Sequence, residues 1–561
     1  MNILGINYYY HDTTASIVKD GKLIVAIEEE RLTRNKHTWS YPHHSIKKAM
    51  EAAQLEPDDI DHIAVSIKPT LNVLPRFIYG LRNITKAKSF FKHEVISGYN
   101  KQTSFWRWYK NLYPSNKKQP QVHFVSHHLS HAIGSFNVSP YEKAAILSID
   151  GAGEWATSFL GYGDNTKYRT IKQSYFPHSL GSFYEAITQY CGFKPNYDEG
   201  KTMGLAPLGN PDIFYDQMSK LIKIDNNGGI NIDLSYFQYQ FWGEQRFSEK
   251  FVKTFGPPRT ADEFKDHHLN VAAAGQKVLE DRILDLCNIL HKKTQADHVV
   301  ISGGVALNSV ANGRVVRESS FKDVYVMPAA GDNGTGIGAS YYVYNNILGN
   351  KRNFVHLNPY IGTEYSNEEI LALIKECKLH AEHHDDICST TAKLLSEGNI
   401  IGWFQGKMEI GPRSLGNRSI LADPTNPEMK DKINADVKHR EAYRPFAPSC
   451  TVEARKEFFD IDVEAPFMLK VCDVREEMKS KLPAITHVDG SARLQTVRKE
   501  VNPRYHELLS KFGKLSGAPV LLNTSFNIMG EPIVESPLQA IRCFFSTGLD
   551  LLVLGNYLIR K

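Results

Sequence analysis

HVVISGGVALNS at His298–Ser309 and VYVMPAAGDNGTGIGAS at Val324–Ser340 share one plan: an apolar run, a loop carrying glycines, and the start of a helical pattern. Strand, glycine turn, helix, repeated in tandem, predicts α/β architecture, with loops whose backbone N–H groups can approach a phosphate closely. Neither loop fits G-x-x-x-x-G-K-[ST] or a strict G-x-G-x-x-G, so neither a P-loop nor a dinucleotide fingerprint is present. Working outward, the N-terminus has the same character. An apolar run Ile3–Ile6 meets a polar loop at His11 and Asp12, and two apolar runs flank Asp20-Gly21, a hairpin turn. A helical stretch from His44 to Leu55 and a strand HIAVSI from His62 follow. HFVSHHLSHAIGSF reads as a strand entering a helix, AAILSID at Ala144–Asp150 as a buried strand, and Val271–Leu290 as a long helix. Residues 70–120, rich in aromatics and Lys/Arg without clean periodicity, read as an insertion or a substrate-facing region. Residues 225–265 have loop character.

The chain has 561 residues, and at roughly 100–200 residues per domain it is long enough for several domains. Polar, Pro-containing chain near 345–360 suggests a cut into residues 1–350 and 351–561. Hydrophobic residues are 42% and charged residues 23%, ordinary globular usage that excludes disordered and collagen-like classes. Net charge is only +4, so no nucleic-acid partner is expected. Seven scattered Cys without a C-x-x-C pair suit a reducing cytoplasm. No basic n-region or long apolar stretch suggests a membrane, and a soluble cytoplasmic enzyme is expected. No short-period repeat is visible.

Three clusters carry chemistry. His127 and His131, four apart on a helix, project two imidazoles from one face; Asp150, at the end of a strand, and Asp332, in a glycine loop after another, add carboxylates. Two His with two carboxylates suit Fe(II), Mn(II) or Zn(II), although an i, i+4 His pair is also common by chance. His11 is placed to act as a general base, with Asp12 beside it; the alternative is a turn-capping Asp12 and a surface His11. The run EEERLTRNKH, Glu28–His37, reads as a solvated helix start rather than a polar rim. In the C-terminal part, QGKMEIGPRSLGNRSI, KHREAYRPFAP and DGSARLQTV interleave Arg with Gly, Pro and apolar residues, which favours an anion pocket over a solvated basic face.

Together HDTTAS, EEERLTRNKH, YPHHSI, HHLSHA, SIDGAGE, DEGKTMGLAPLG, ISGGVALN, GDNGTGIGA, EIGPRSLGNRSI, KHREAYRPFAPS and NTSFNIMGEPIV, in this order, resemble the NodU/CmcH-type O-carbamoyltransferase family. The resemblance implies an N-terminal domain of the actin, sugar kinase and heat-shock ATPase (ASKHA) type and a C-terminal YrdC-like α/β domain. It implies that carbamoyl phosphate and ATP form carbamoyl adenylate in the YrdC-like domain, and that the carbamoyl group is then delivered at a metal site to a hydroxyl of a sugar or natural-product acceptor. His127, His131, Asp150 and Asp332 are the implied ligands of a divalent metal, Fe(II) first with Mn or Zn as alternatives, and Mg is expected with ATP. Gly303, Gly304, Asn308, Asp332, Gly334 and Thr335 are implied to line the ATP site, with His11 as base on the acceptor. Arg413, Arg418, Lys438, Arg444, Arg493, Asn523 and Ser525 are implied to bind carbamoyl phosphate and the adenylate. Leu208 and the aromatic NYYYHD stretch depart from the family pattern and leave the acceptor open. A tRNA threonylcarbamoyl transferase-like enzyme and a regulatory nucleotide-binding protein are the rival readings. A homodimer is compatible with either.

Overall fold

The computed structural model describes residues 1–86, 88–91, 98–114, 118–261, 263–441 and 443–561. The chain divides into two compact units, Met1–Glu29 with His37–His356, and Glu30–Lys36 with Leu357–Lys561.

The first unit holds two five-stranded sheets of identical topology. In one, β1 (Asn2–Asn7), β2 (Thr14–Lys19) and β3 (Lys22–Glu28) form an antiparallel meander, and β4 (His62–Val65) and β5 (Gln121–Phe124) add in parallel beside β1, giving the order β3-β2-β1-β4-β5. In the other, β6 (Lys143–Gly153), β7 (Ala156–Asp164) and β8 (Lys167–Tyr175) repeat the meander, with β9 (His298–Ser302) and β10 (Asp323–Val326) parallel beside β6. The long-range duplication was invisible in the sequence because backbone pairing, not residue identity, is repeated. Asp20 and Gly21 close the first hairpin with φ of 50° and 78°, the left-handed pair that a two-residue turn needs to match strand twist.

Each central strand ends at a site residue, and helices fix the distance between the two ends. The helix His127–Asn137 crosses the helix Thr335–Tyr341 through Gly134 and Gly338, where backbones touch. A Cβ on Gly338 would lie 1.9 Å from the Ser130 carbonyl oxygen, a backbone atom that cannot step aside. Gly338→Ala should therefore force the helices apart, costing about 1–3 kcal/mol as overpacking does, and should weaken binding of a divalent metal; chemical denaturation and metal titration check both.

The described aromatic residues of the 70–120 region divide between the interior and the surface, where Phe77, Tyr99 and Trp106 are exposed. Phe90, Phe105 and Tyr113 are buried, and Phe105, on the helix Gly98–Leu112, stacks on Tyr8 at 5.8 Å. Residues 87, 92–97 and 115–117 of that region lie outside the described residues. Within 225–265, a short strand Ile230–Ile232 and a helix Glu249–Phe255 replace part of the expected loop. The long helix runs Asp266–Thr294.

The second unit is built on an eight-stranded mixed sheet whose inner strands include Ile401–Phe404, Arg418–Ala422, Val520–Ser525 and Leu551–Leu554. Alternate residues feed opposite faces: Phe404, Ile420, Leu522 and Leu552 enter one core, Trp403, Leu421, Leu521 and Val553 the other. Glu30–Lys36, from the N-terminal run, belongs to this unit. Arg31 donates to the Gly411 carbonyl at 2.8 Å, and Arg34 to the carbonyls of Pro532 and Ile533 at 2.6 and 2.7 Å. The expected solvated helix is thus overturned: Glu28, Glu29, Glu30 and Arg31 are buried. Their charges are tolerated because they are hydrogen-bonded. Glu29 accepts from the backbone N–H and hydroxyl of Ser45, each at 2.7 Å, and Glu28 from the Asn333 amide at 2.6 Å.

Candidate active site

In the first unit four ligand atoms converge. His127 Nε2 lies 3.0 Å from Asp150 Oδ2 and 3.4 Å from Asp332 Oδ1; His131 Nε2 lies 3.2 and 3.3 Å from the same oxygens and 3.1 Å from His127 Nε2. Two imidazole nitrogens this close cannot both present a proton, yet each also faces two carboxylates. One cation bonded to all four resolves the conflict, and separations near 3 Å match the edges of a polyhedron with bonds of about 2.0–2.2 Å. Both histidines are buried, and the carboxylates pull their pKa values up against that burial. The donor set fits Fe(II), Mn(II) or Zn(II).

Surrounding groups set this geometry. Glu154 accepts from the His127 backbone N–H at 2.9 Å, a carboxylate at a helix N-terminus. Tyr10 packs edge-on against the His127 ring at 4.9 Å, and its hydroxyl accepts from the Glu154 N–H at 3.0 Å. A Cβ on Gly153 would sit 2.2 Å from the same ring, so that position needs glycine. Asp150 Oδ1 accepts from Gly151 N at 2.9 Å and Gly304 N at 3.3 Å, leaving Oδ2 for the histidines. The Asn7 amide donates to the carbonyls of His11, Asp12 and Asp332 at 3.1, 3.1 and 2.9 Å, tying the first loop to the ligand loop.

That first loop holds a second constellation. Asp12, at φ 55°, bridges two imidazoles: Oδ2 meets His11 Nδ1 at 2.9 Å and Oδ1 meets His37 Nδ1 at 2.6 Å. Burial opposes charge on His11, but Asp12, then Asp332 and Asp150, lift its pKa to about 10. With Nδ1 held by Asp12, Nε2 is the atom left to exchange a proton. Exposed Trp39 lies 6.2 Å from the His11 ring, Tyr197 4.4 Å from His37, and Lys101 Nζ stands over the rings of Tyr9 and Trp39 at 4.9 and 5.0 Å.

The expected nucleotide residues divide in two. Gly303, at φ 91°, and Gly304 lie against Ile149 and Asp150; a Cβ on Gly334 would meet the Ala329 carbonyl at 1.9 Å. Asn308 and Thr335 instead shape the loops: Asn308 caps the helix Ser309–Glu318 and exchanges two 3.0 Å hydrogen bonds with Gln276, and the Thr335 hydroxyl donates to the Asp332 carbonyl at 2.7 Å.

In the second unit, Arg413, Arg444 and Arg493 come together with Arg440, which the sequence reading did not single out although it stands in the same KHR run. Burial and then Arg444 draw Arg413 down to about 10. Burial and Arg444 bring Arg440 to about 9, and burial with Arg413, Arg440 and Arg444 holds Arg493 well below the arginine range. The buried Nε atoms of Arg413 and Arg493 meet no acceptor among the described residues. Glu441, 3.9 Å from Arg444, is the one carboxylate beside the four among the described residues, and a cluster with such an excess of cations is costly unless an anion joins it.

Arg418 does not belong to that pocket, against expectation. It is fully buried, stacks on Phe404 at 3.6 Å, and spends its donors on the carbonyls of Gln405, Asn417, Thr363 and Gly406. Lys438 is likewise committed, donating to Ser525 Oγ and to the Asn527 carbonyl and side chain at 3.3, 3.1 and 2.8 Å. Ser525 donates to Asn527 Oδ1 at 2.7 Å, and Asn523 is locked among Ser414, Ser449 and Gln495. Of these four, Lys438 alone lies near enough to Arg440 and Arg444 for their charges, after burial, to lower its pKa.

Fold and clusters define a two-unit α/β protein with a candidate metal centre in one unit and a candidate arginine-lined anion site in the other. Residues 2–341 match the model for the carbamoyltransferase N-terminus and residues 392–561 that for the carbamoyltransferase C-terminus. The chain belongs to the carbamoyltransferase family and is an enzyme of that kind. It is 40% identical to an uncharacterized protein of Synechocystis sp. over 100% of this chain and 97% of that one. Nodulation protein NolNO of Sinorhizobium fredii is 36% identical, over 99% of this chain and 80% of its own length. A 3'-hydroxymethylcephem-O-carbamoyltransferase of Streptomyces clavuligerus is 29% identical, over 79% and 81%.

Proposed function

We propose that this enzyme makes carbamoyl adenylate from carbamoyl phosphate and ATP in its second unit and transfers the carbamoyl group to a hydroxyl of a saccharide or natural-product acceptor in its first. The observation that carries the reading is the convergence of four metal-ligand atoms within one loop of the His11-Asp12-His37 constellation. The duplicated five-stranded sheet supports an ASKHA-type first unit, and the mixed sheet carrying an arginine pocket supports a YrdC-like second unit.

In the second unit Arg413, Arg440, Arg444 and Arg493 bind the phosphates. Water hydrolyses carbamoyl phosphate to carbamate and inorganic phosphate, a carbamate oxygen bonds to the α-phosphorus of ATP, the bridging bond to the β-phosphate breaks, and pyrophosphate leaves. Four guanidiniums balance the charge that gathers there. In the first unit the acceptor oxygen bonds to the carbamoyl carbon while the carbon–oxygen bond to AMP breaks. With the charges of Asp332 and Asp150, which raise the His11 pKa, offset by a bound divalent cation, neutral His11 can take the hydroxyl proton at Nε2, Asp12 stabilises the imidazolium that forms, and His37 holds Asp12 from the other side. A divalent metal held by His127, His131, Asp150 and Asp332 supplies Lewis acidity toward the carbonyl or phosphate oxygen. The Gly303-Gly304 and Gly334 turns, packed closely on Ile149, Asp150 and Ala329, border Asp150 and Asp332, where the nucleotide phosphates would bind. Trp39, exposed beside His11, offers a face on which a sugar ring can stack.

Pyrophosphate release from ATP without any acceptor tests the first half. Release that depends on carbamoyl phosphate is the expected result; release indifferent to it, or none with metal and Mg supplied, overturns the adenylation reading.

A further inference from the structure

The helix Val73–Arg82 is mounted with its apolar side outward. Val73, Leu74, Phe77, Ile78 and Leu81 fall on one arc at helical spacing, and they are 51%, 67%, 54%, 39% and 49% exposed; Ile84, just past the helix, is 55% exposed. The opposite side anchors the helix through Gly80, which is buried, through the Tyr79 hydroxyl, which donates to the Gln240 carbonyl at 2.9 Å, and through Arg76, which donates to the Pro69 carbonyl at 2.9 Å. A surface helix ordinarily turns such an arc to the core, and a contiguous exposed apolar patch marks a site of interaction.

Charge says what kind of surface it meets. From Lys68 to His93 the sequence has six basic residues, Lys68, Arg76, Arg82, Lys86, Lys88 and Lys92, and not one Asp or Glu, in a chain whose net charge is only +4. Lys68, Arg82 and Lys86 are exposed. At about 1.5 Å per residue the helix is far too short to span a bilayer, and no described helix is long and apolar enough to cross one. An apolar arc edged by cations is the pattern of a helix lying in a membrane interface. A second copy of the chain fits less well. A symmetric contact would press two such segments together with no carboxylate in either to pair their cations.

We propose that the helix Val73–Arg82 docks the enzyme on an anionic lipid bilayer, its apolar arc entering the interface and Lys68, Arg82 and Lys86 meeting lipid phosphates. This replaces the expectation that no membrane is involved, and it does not depend on the reading of the active site.

Cosedimentation of the full-length protein with phosphatidylcholine vesicles, with and without phosphatidylglycerol, tests it. Binding should require phosphatidylglycerol and weaken with salt. It should fall roughly tenfold or more in Arg82→Glu/Lys86→Glu, which reverses two charges near the lipid surface. Leu74→Ser/Phe77→Ser should lose it too, while both variants keep the far-UV circular dichroism and melting temperature of the parent protein, which shows they are folded. Equal binding to both vesicle types, no binding, or binding that survives both variants overturns the proposal. So does a lipid-free dimer in sedimentation velocity that Leu74→Ser/Phe77→Ser converts to monomer.

Discussion

His131→Ala should lower carbamoyl transfer by about 10³-fold or more, the scale of several kcal/mol of lost Lewis-acid stabilisation, while changing pyrophosphate release little. His131 Nε2 stands within 3.3 Å of His127 Nε2 and of both carboxylate oxygens. Removing it leaves His127 alone between Asp150 and Asp332, a poorer ligand set. The variant should bind less than one equivalent of divalent metal by elemental analysis and should lose the thermal stabilisation that metal confers on the parent protein. Transfer assayed with supplied carbamoyl adenylate separates the two halves. Equal loss of transfer and pyrophosphate release, with metal content intact, contradicts the division of labour between the units.

Arg493→Met should abolish carbamoyl-phosphate-dependent pyrophosphate release, by about 10²–10³-fold if it acts as other preorganised charge-stabilising groups do. The same change should leave the ligand-free protein as stable as before or more so. Arg493 pays a burial cost and is repelled by Arg413, Arg440 and Arg444, and its Nε has no acceptor among the described residues. Arg493 is half-buried, and an apolar chain of similar length in its place reduces both penalties. Arg418→Met supplies the contrast. It strands four carbonyls that now share one guanidinium, so stability should drop by about 3–5 kcal/mol. Thermal melts of the two variants, read beside pyrophosphate release, decide between an arginine that binds ligand and one that holds the loop. A lower melting temperature with unchanged release in Arg493→Met counts against the anion pocket.

Much of the candidate site was legible because chemistry-bearing residues come with local spacing. The i, i+4 pair His127 and His131 needs only a helix to share one face, and Asp150 lies in an apolar strand while Asp332 lies in the glycine loop that follows another. The arginines were legible as a group but not individually. Arg413 and Arg418 lie five residues apart in one motif, and nothing local says that one faces a pocket while the other is swallowed by carbonyls. His37 was read as part of a solvated run. Only folding reveals that Asp12 reaches across to it and that Glu28 to Arg31 are buried. Tyr10 and Glu154 were missed for the same reason: their roles are contacts with His127 made across the fold.

By itself, then, the sequence determined the α/β class, the hairpin at Asp20-Gly21, the histidine face, the carboxylates and the family, because propensity, periodicity and motif order are properties of neighbouring residues. The tertiary structure alone decided the duplicated sheet, the return of Glu30–Lys36 to the second unit, the grouping of Arg440 with Arg413, Arg444 and Arg493, and the outward apolar arc of Val73–Arg82. Backbone pairing, burial and desolvation depend on residues far apart in the chain. A lysine, arginine or leucine carries no mark in sequence of whether its surroundings will be water, protein or an unfilled pocket.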